Sequence, residues 1–387
     1  MNSNISFIEW QKKQHRYLVN TLKPKNKNEE WRYSNFHFLE QKDQRPTNLT
    51  NQMELILNND IINNQKLPTG VSIFNCKDQN FMTYLNHFVQ QDNFDKQYQV
   101  LQNYAFSTQG FIIRFSRSHD KPIKLTLKSS GTNYILLLIQ IDPDVNIQII
   151  EHFIDTKHSN TNFVSKIKIG QNAQVKHAKI HNAYKETTLI YSSHIEIEQY
   201  SHYQKYSSNL IYHLYKEYIQ CHLQGTHAHA DLIGINYSHN TDHIDIVLLV
   251  KHMADNTKSY QRYTHVLNDN VTSSFYGRVI IPYGLHKIEA HQLNKNVLLS
   301  PNVKAFSRPE LHINSNDVKC SHGATISDID PNTLYYMQSR GLNILQARNM
   351  YIVSCLNTML SKFDCHHELT RLLKDDIKNQ IIMYNKS

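Results

Sequence analysis

The sequence predicts a mostly β protein with helical ends, its strands wound as a solenoid in preference to a sandwich. Three observations carry this expectation. From about residue 101 to about 320 the apolar period is two, as in Val164–Ile169 (VSKIKI), His194–Glu198 (HIEIE) and Ala228–Leu232 (AHADL), so alternate side chains go to opposite faces. Breaks at Gly170, Gly225, Asn240, Asp255-Asn256, Asn268-Asp-Asn270 and Asn314-Ser-Asn316 recur about every 8–12 residues. No helix-length apolar pattern interrupts this stretch, which excludes a doubly wound sheet. A weak recurrence, at Ile167-x-Ile-Gly-x-x-Ala-x-Val175 and again from Val266 to Val279, has the form strand, polar turn, strand, as in one coil of a solenoid. Such a coil buries its inner face only by stacking on its neighbours. Asn and Asp at the breaks supply the left-handed turn conformations that so few glycines could provide.

The flanks differ. Residues 1–100 read as a mixed, partly helical region. Ile8, Tyr17, Leu18 and Leu22 fit a short amphipathic helix ending at Pro24, and the Asn- and Gln-rich stretch from Asn35 to Asn93 reads as loops and short helices. The β core is placed at 101–325. Residues 326–387 return to helix: Asp330 caps a first helix with Pro331 in its first turn, and Gly341 stops it after Arg340. A second helix carries Leu345, Ile352, Leu356, Met359, Leu360 and Phe363 on one face. A third carries Leu369, Leu372, Leu373, Ile377 and Ile381. These narrow apolar stripes must pack on the solenoid or on another chain.

Composition narrows the function. The 387 residues carry 41 Lys and Arg against 33 Asp and Glu, a net charge of +8, with no massed basic run, which argues against a nucleic-acid surface. Five scattered cysteines without a CxxC argue against a disulfide framework and suit a reducing, cytoplasmic setting. None of the ten glycines opens a P-loop or a GxGxxG motif, so no nucleotide is expected on this chain. The most apolar run, Tyr134–Ile141, is far too short to span a bilayer, and no secretory leader is apparent.

The segment Asp317-Val-Lys-Cys-Ser-His-Gly-Ala-Thr325 lies where β pattern gives way to helix. In an extended backbone Cys320 and His322 point to the same side. Thiolate and imidazole suit iron or zinc, and two ligands leave a site incomplete unless a second chain or a distant loop contributes. A buried cysteine beside a hydrogen-bonded histidine is the plain structural alternative. Elsewhere, His227-Ala-His229 with Asp231 offers three potential ligands on one strand face, although exposed faces of a β-helix produce such ladders routinely. Cys365-His-His367 falls between helices. Cys221 and Cys355 sit in apolar contexts and read as core. The Tyr-rich run Tyr200–Tyr218 lacks interleaved Arg and Lys and reads as sheet surface or interface.

The run from Asp317 to Thr325, followed by Asp330-Pro-x-x-Leu-Tyr-Tyr-x-x-Ser-Arg-Gly341, closely resembles the SufB/SufD family of the Suf iron–sulfur cluster assembly system, in its SufD wording. Tyr260-Gln-Arg-Tyr-Thr-His-Val-Leu267, Phe275-x-Gly277, Gln292-x-Asn-Lys-Asn-x-Leu-Leu-Ser300 and Pro309-Glu-Leu311 follow the family in order, and Glu30-Trp-Arg-Tyr33 resembles its early element. The resemblance is strong over about 245–345. His286-Lys-Ile-Glu-Ala-His291 and Ser273 depart from it, at turns rather than at the site.

What the resemblance implies is a right-handed parallel β-helix between helical ends, a non-catalytic scaffold subunit pairing with a SufB-like paralogue and a SufC-like ABC ATPase, or with a second copy of itself. Cys320 and His322 would meet iron or a nascent cluster, transiently and shared with the SufB-like chain. The C-terminal helices, with Tyr335, Arg340, Leu356 and Leu360, would form the partner interface, and neither nucleic acid nor membrane is expected as a partner. Two other readings remain: a metal-free solenoid interaction protein, and a β-helical carbohydrate-active enzyme, which the sparse, unpaired carboxylates of residues 100–320 disfavour.

Overall fold

The computed structural model describes residues 6–25, 29–32, 54–57, 60–61, 67–78, 80–90, 92–155, 159–182, 186–211, 213–240, 242–360 and 371. The chain opens with α1 (Phe7–Asn20), β1 (Glu54–Leu57), β2 (Asp60–Ile61), β3 (Val71–Asn75), α2 (Phe81–Phe88) and α3 (Tyr98–Phe106). Then follow β4 (Gln109–Phe115), β5 (Ile123–Ser129), β6 (Thr132–Ile141), β7 (Asn146–Asp155), β8 (Asn160–Ile169), β9 (Gln174–Asn182), β10 (Thr187–Ile197) and β11 (His202–Ile211). The series continues with β12 (His213–Leu223), β13 (His229–Ser238), β14 (His243–His252), β15 (Lys258–Leu267), β16 (Thr272–Ile281), β17 (His286–Leu298), β18 (Lys304–Ile313) and β19 (Asp317–Asp328). Helices α4 (Pro331–Ser339) and α5 (Ile344–Leu360) close the described chain.

From β4 onward, odd strands stack on odd and even on even, always parallel, forming two facing sheets. The result is a parallel β-solenoid of about seven coils with helices at both ends. The polar breaks are its corners. Asn172, Asn240, Asn256 and Asp269 all take φ between 54° and 66° there, the left-handed region that their short polar side chains tolerate. The stretch expected as loops and short helices also contributes strands. β1 and β3 pair antiparallel with β5 and β4, and β2, paired to β1, and β3 finish that end of the two sheets.

The interior is a stack of aliphatic rows, with Ile167, Ile195, Ile219 and Leu248 among its fully enclosed members. The outer faces are covered differently. Helices α1–α3 lay Trp10, Phe81, Leu85, Phe88 and Tyr104 over the even sheet, while Ile352 of α5 joins Ile233, Ile235 and Tyr237 on the odd sheet. Two expectations change here. The buried face of α1 is Trp10, Gln14 and Leu18, leaving Ile8, Tyr17 and Leu22 in solvent, because Trp10 packs against Tyr104 and Gln11 Nε2 donates to the Ser107 carbonyl at 2.6 Å. The tyrosine run is core rather than sheet surface. Tyr203, Tyr206, Tyr215 and Tyr218 are fully buried, since stacked coils and covering helices close both faces; Tyr200 at a corner is exposed, and Tyr212 lies outside the described residues.

Polar groups are buried too, and two histidines make the fold acid-sensitive. Burial pushes His252 down to about 4 and His265 down to about 3. The His252 imidazole is hydrogen-bonded to Thr257 and Ser259, and that of His265 to Ser273. Both stay neutral in the fold yet take up a proton once unfolded. Stability is therefore fully present above about pH 6.5 and falls as the pH drops toward the folded values, by roughly 1.4 kcal/mol per histidine per pH unit. Urea midpoints should decline steadily between pH 6.5 and pH 5; replacing His265 with Gln should flatten that slope.

Candidate functional site

At the end distal to β1 and β3 the solenoid stops without a cap among the described residues. β18 and β19 are the last strands of their sheets, each paired on one side only, to β16 and to β17. Among the described residues no strand pairs with their other backbone edges, and two long strands of this kind pair readily with another chain. Burial drops accordingly: neither strand contains a buried residue, whereas the coil before them is largely closed.

The register shows which way the candidate ligands point. Val318, Cys320, His322 and Ala324 stand beside Ile288, Ala290, Gln292 and Asn294 of β17, all of which face the solenoid interior. Cys320 is half-buried against the interior core and His322 is exposed, because among the described residues no further coil lies over them. The strand thus places both side chains on one side, as expected from the extended spacing, and that side is the mouth of the solenoid. Burial pushes the Cys320 thiol above the usual cysteine value, with a smaller opposing pull from a backbone hydrogen bond at Ala290. A thiol in that state is not pre-activated; a cation or basic group brought to the mouth would be needed to draw off its proton.

The motifs around the site lock the last coils. Glu310 accepts hydrogen bonds from Tyr276 OH at 2.9 Å and Arg278 Nε at 3.1 Å, and Arg308 Nη2 lies 2.6 Å from its other oxygen. This ties β18 to β16; burial raises the carboxyl, but the Tyr276 hydrogen bond, with Arg278 and Arg308, outweighs it and holds the group below its usual range. Inside, Gln292 Nε2 donates to Gln261 at 3.0 Å, tying β17 to β15, and Ser307 Oγ donates to Asn294 at 2.7 Å, bridging the two sheets just beneath the mouth. Trp31 of the early element is buried, with Lys216 Nζ 3.9 Å from its ring centroid.

The interface candidates are spread along the C-terminal helices. Asp330 caps α4, accepting from the backbone N–H groups of Asn332 and Thr333, and Gly341 at φ +94° ends it, as the sequence indicated. No residue of α4 is buried. Tyr335 is 75% exposed, and Arg340 lies over the Tyr336 ring and donates to its hydroxyl. Leu356 and Leu360 fall on α5, their side chains outside the described residues, as are Cys365-His-His367 and the third helix. Cys221 is fully buried and pushed up to about 12 by desolvation, an inert core thiol, whereas Cys355 packs half-buried against the α5 cluster.

One grouping was only half visible in the sequence. His229 and Asp231 do share a strand face, but His227 turns away at a corner (φ 61°) and stacks on Tyr200. Its place is taken by His202, one coil earlier, whose ring lies parallel to that of His229 at 4.0 Å. Recurrence of histidine at the coil spacing is the signal that would have found it. Burial raises the Asp231 carboxyl, but the hydrogen bond with His202 and the nearness of His229 outweigh this and hold it well below the usual carboxylate range.

A model of the SufBD core domain of the SUF system for iron–sulfur cluster assembly matches residues 126–354, most of the solenoid and the first C-terminal helices. The chain belongs to the SufBD family. Among SufBD relatives, an iron–sulfur cluster assembly SufBD family protein of Synechocystis is 31% identical over 195 residues, covering 49% of this chain and 42% of its own. The iron–sulfur cluster assembly protein SufD of Escherichia coli is 24% identical over 240 residues, 60% of this chain and 54% of its own; that of Bacillus subtilis is 22% identical over 232 residues, 58% and 53%. The match thus spans about half the length of these relatives. Among the described residues no helix is long and apolar enough to cross a membrane.

Proposed function

We propose that this SufBD chain is a non-catalytic scaffold subunit for iron–sulfur cluster assembly, working in the cytoplasm as a heteromer. A SufB-like paralogue pairs with it along the open edges of β18 and β19, and a SufC-like ABC ATPase docks on the C-terminal helices around Tyr335 and Arg340, so that nucleotide is bound by the partner. Iron, or a nascent cluster, is the cargo, held transiently by Cys320 and His322 together with ligands of the paralogue. The observation that carries the reading is the coincidence of two features on β19: an unpaired strand edge, and a thiol and an imidazole facing the same open mouth. Strand addition along such an edge satisfies its backbone groups and brings the partner's first residues to within reach of Cys320. Two ligands per chain suit a site completed only at the join.

The test is affinity purification of the tagged chain from its native cell, with native mass spectrometry of the eluate. A complex holding a SufBD paralogue and an ABC ATPase is the expected result. A homodimer or monomer free of ATPase would overturn it.

A further inference from the structure

Well away from the mouth, on the outer face of the odd sheet, His202, His229 and Asp231 converge. Asp231 and His229 alternate with Ala230 and Leu232, which point into the core, so both ligand side chains face outward; Tyr203, also inward, sets His202 outward in the same way. Helix α5 covers the far halves of these strands, at Ile233, Ile235 and Tyr237, and leaves this half free of it. His202 Nε2 lies 2.9 Å and His229 Nε2 3.6 Å from the same oxygen, Asp231 Oδ2, and the three ligand atoms all fall within 4.8 Å of one another. The second distance is too long for a hydrogen bond, and His229 Nε2 is buried with no hydrogen-bond partner. Ligands on a tetrahedral zinc, at about 2.0–2.2 Å from the metal, stand roughly 3.4 Å apart. The observed separations bracket that value.

We infer that His202, His229 and Asp231 form a binding site for a divalent first-row transition metal such as zinc or ferrous iron. Two neutral imidazoles and one carboxylate on one side of the ion are a borderline donor set that leaves further positions open. The parallel register supplies the arrangement: it sets equivalent positions of β11 and β13 side by side and stacks the two rings 2° from parallel. Neighbours hold the carboxylate in place. Arg262 Nη1 sits 3.8 Å from the other oxygen, Oδ1, steering Oδ2 toward the histidines, and Gln204 Nε2 donates to Oδ2 over a long 3.3 Å that a cation would replace. Strands β13 and β19 are separated by β15 and β17, placing this site about 14 Å across the sheet from Cys320. It is distinct from the mouth and does not depend on the function proposed above.

The test uses the full chain, stripped with chelator and titrated with cobalt(II), whose visible bands and stoichiometry report coordination by nitrogen and oxygen, followed by competition with zinc. His229→Ala and Asp231→Asn should each weaken the tightest cobalt equivalent at least tenfold, as loss of even an outer partner does in other metal sites. The double variant Cys320→Ser/His322→Ala should retain it. Zinc should also raise the melting temperature of the parent chain and not that of Asp231→Asn, whose own melting without metal confirms that it folds. Parent-like cobalt binding in both site variants would overturn the inference. Loss confined to the Cys320/His322 variant would overturn it equally, because the ion would then belong to the mouth.

Discussion

Replacing His322 with Ala should cut cluster formation on the assembled complex by on the order of tenfold or more, the scale seen when a metal site loses a ligand or its support. Folding and partner recovery should stay unchanged. The two halves of this expectation come from the same geometry. His322 is exposed on the last strand, and its imidazole makes no hydrogen bond among the described residues, so truncation removes no packing and should alter stability by no more than about 0.5 kcal/mol. Its position beside Gln292, at the mouth, is nonetheless where a partner's residues would arrive if strands add to β19. The measurement is paired: iron and sulfide content of the purified complex, and the partner ratio in the same eluate. Loss of the partners in this variant would make His322 an interface residue, and unchanged iron would remove it from the site.

Replacing Glu217 with Ala should destabilise the chain by about 3–5 kcal/mol, the cost of leaving buried charge uncompensated. Glu217 is fully enclosed in the solenoid. Lys179 Nζ and Lys205 Nζ lie 3.8 and 3.7 Å from its Oε1, and Tyr263 OH donates to Oε2 at 3.3 Å. Lys205 also donates to Tyr191 OH at 3.1 Å, and that hydroxyl donates in turn to the buried Glu151. Burial drives both lysines down, Lys179 to about 7, against the opposing pull of Glu217. Removing the carboxylate takes away that pull and leaves Glu151 as the remaining buried carboxylate favouring the charged lysines, so holding their charge in the core costs more. Urea unfolding would measure the loss. A cost under about 1 kcal/mol would mean that water reaches the network. The triple variant Lys179→Met/Lys205→Met/Glu217→Leu should recover most of the stability, since a well-packed apolar group of similar volume replaces such a network at little net cost. Among the described residues this network touches neither the mouth nor the histidine cluster, so its loss should appear in stability and not in metal binding.

The two predictions divide along what could be read from residues in a row. Alternation in AHADL and at Ile167 and Ile169 of VSKIKI, the Asn and Asp corners, the Asp330 cap and the Gly341 stop are local rules, satisfied within a few residues, and the structure reproduces them, whereas Val164 turns to the outer face under the helices. The shared orientation of Cys320 and His322 is of the same kind, following from strand pleat alone. Glu217, Lys179 and Lys205, by contrast, look like ordinary solvent-facing charges in a strand and are enclosed because other coils lie over them.

Residue by residue, then, the sequence determined the β periodicity, the coil corners, the helical ends and, through linked motifs, the SufBD family. Only the tertiary structure decided which faces are closed. Helix α1 turned Trp10 rather than Ile8 inward because Tyr104 awaited it, and Tyr203 and Tyr215 became core because coils stack on both sides of them. His202 joined His229 because register sets residues one coil apart side by side. The mouth at β18 and β19 is open because, among the described residues, no strand stacks beyond them. Contacts between neighbouring coils join positions about 27–31 residues apart along the chain, and Trp10 meets Tyr104 from farther still, so loop closure and the register of a whole sheet, rather than any local preference, choose the neighbour.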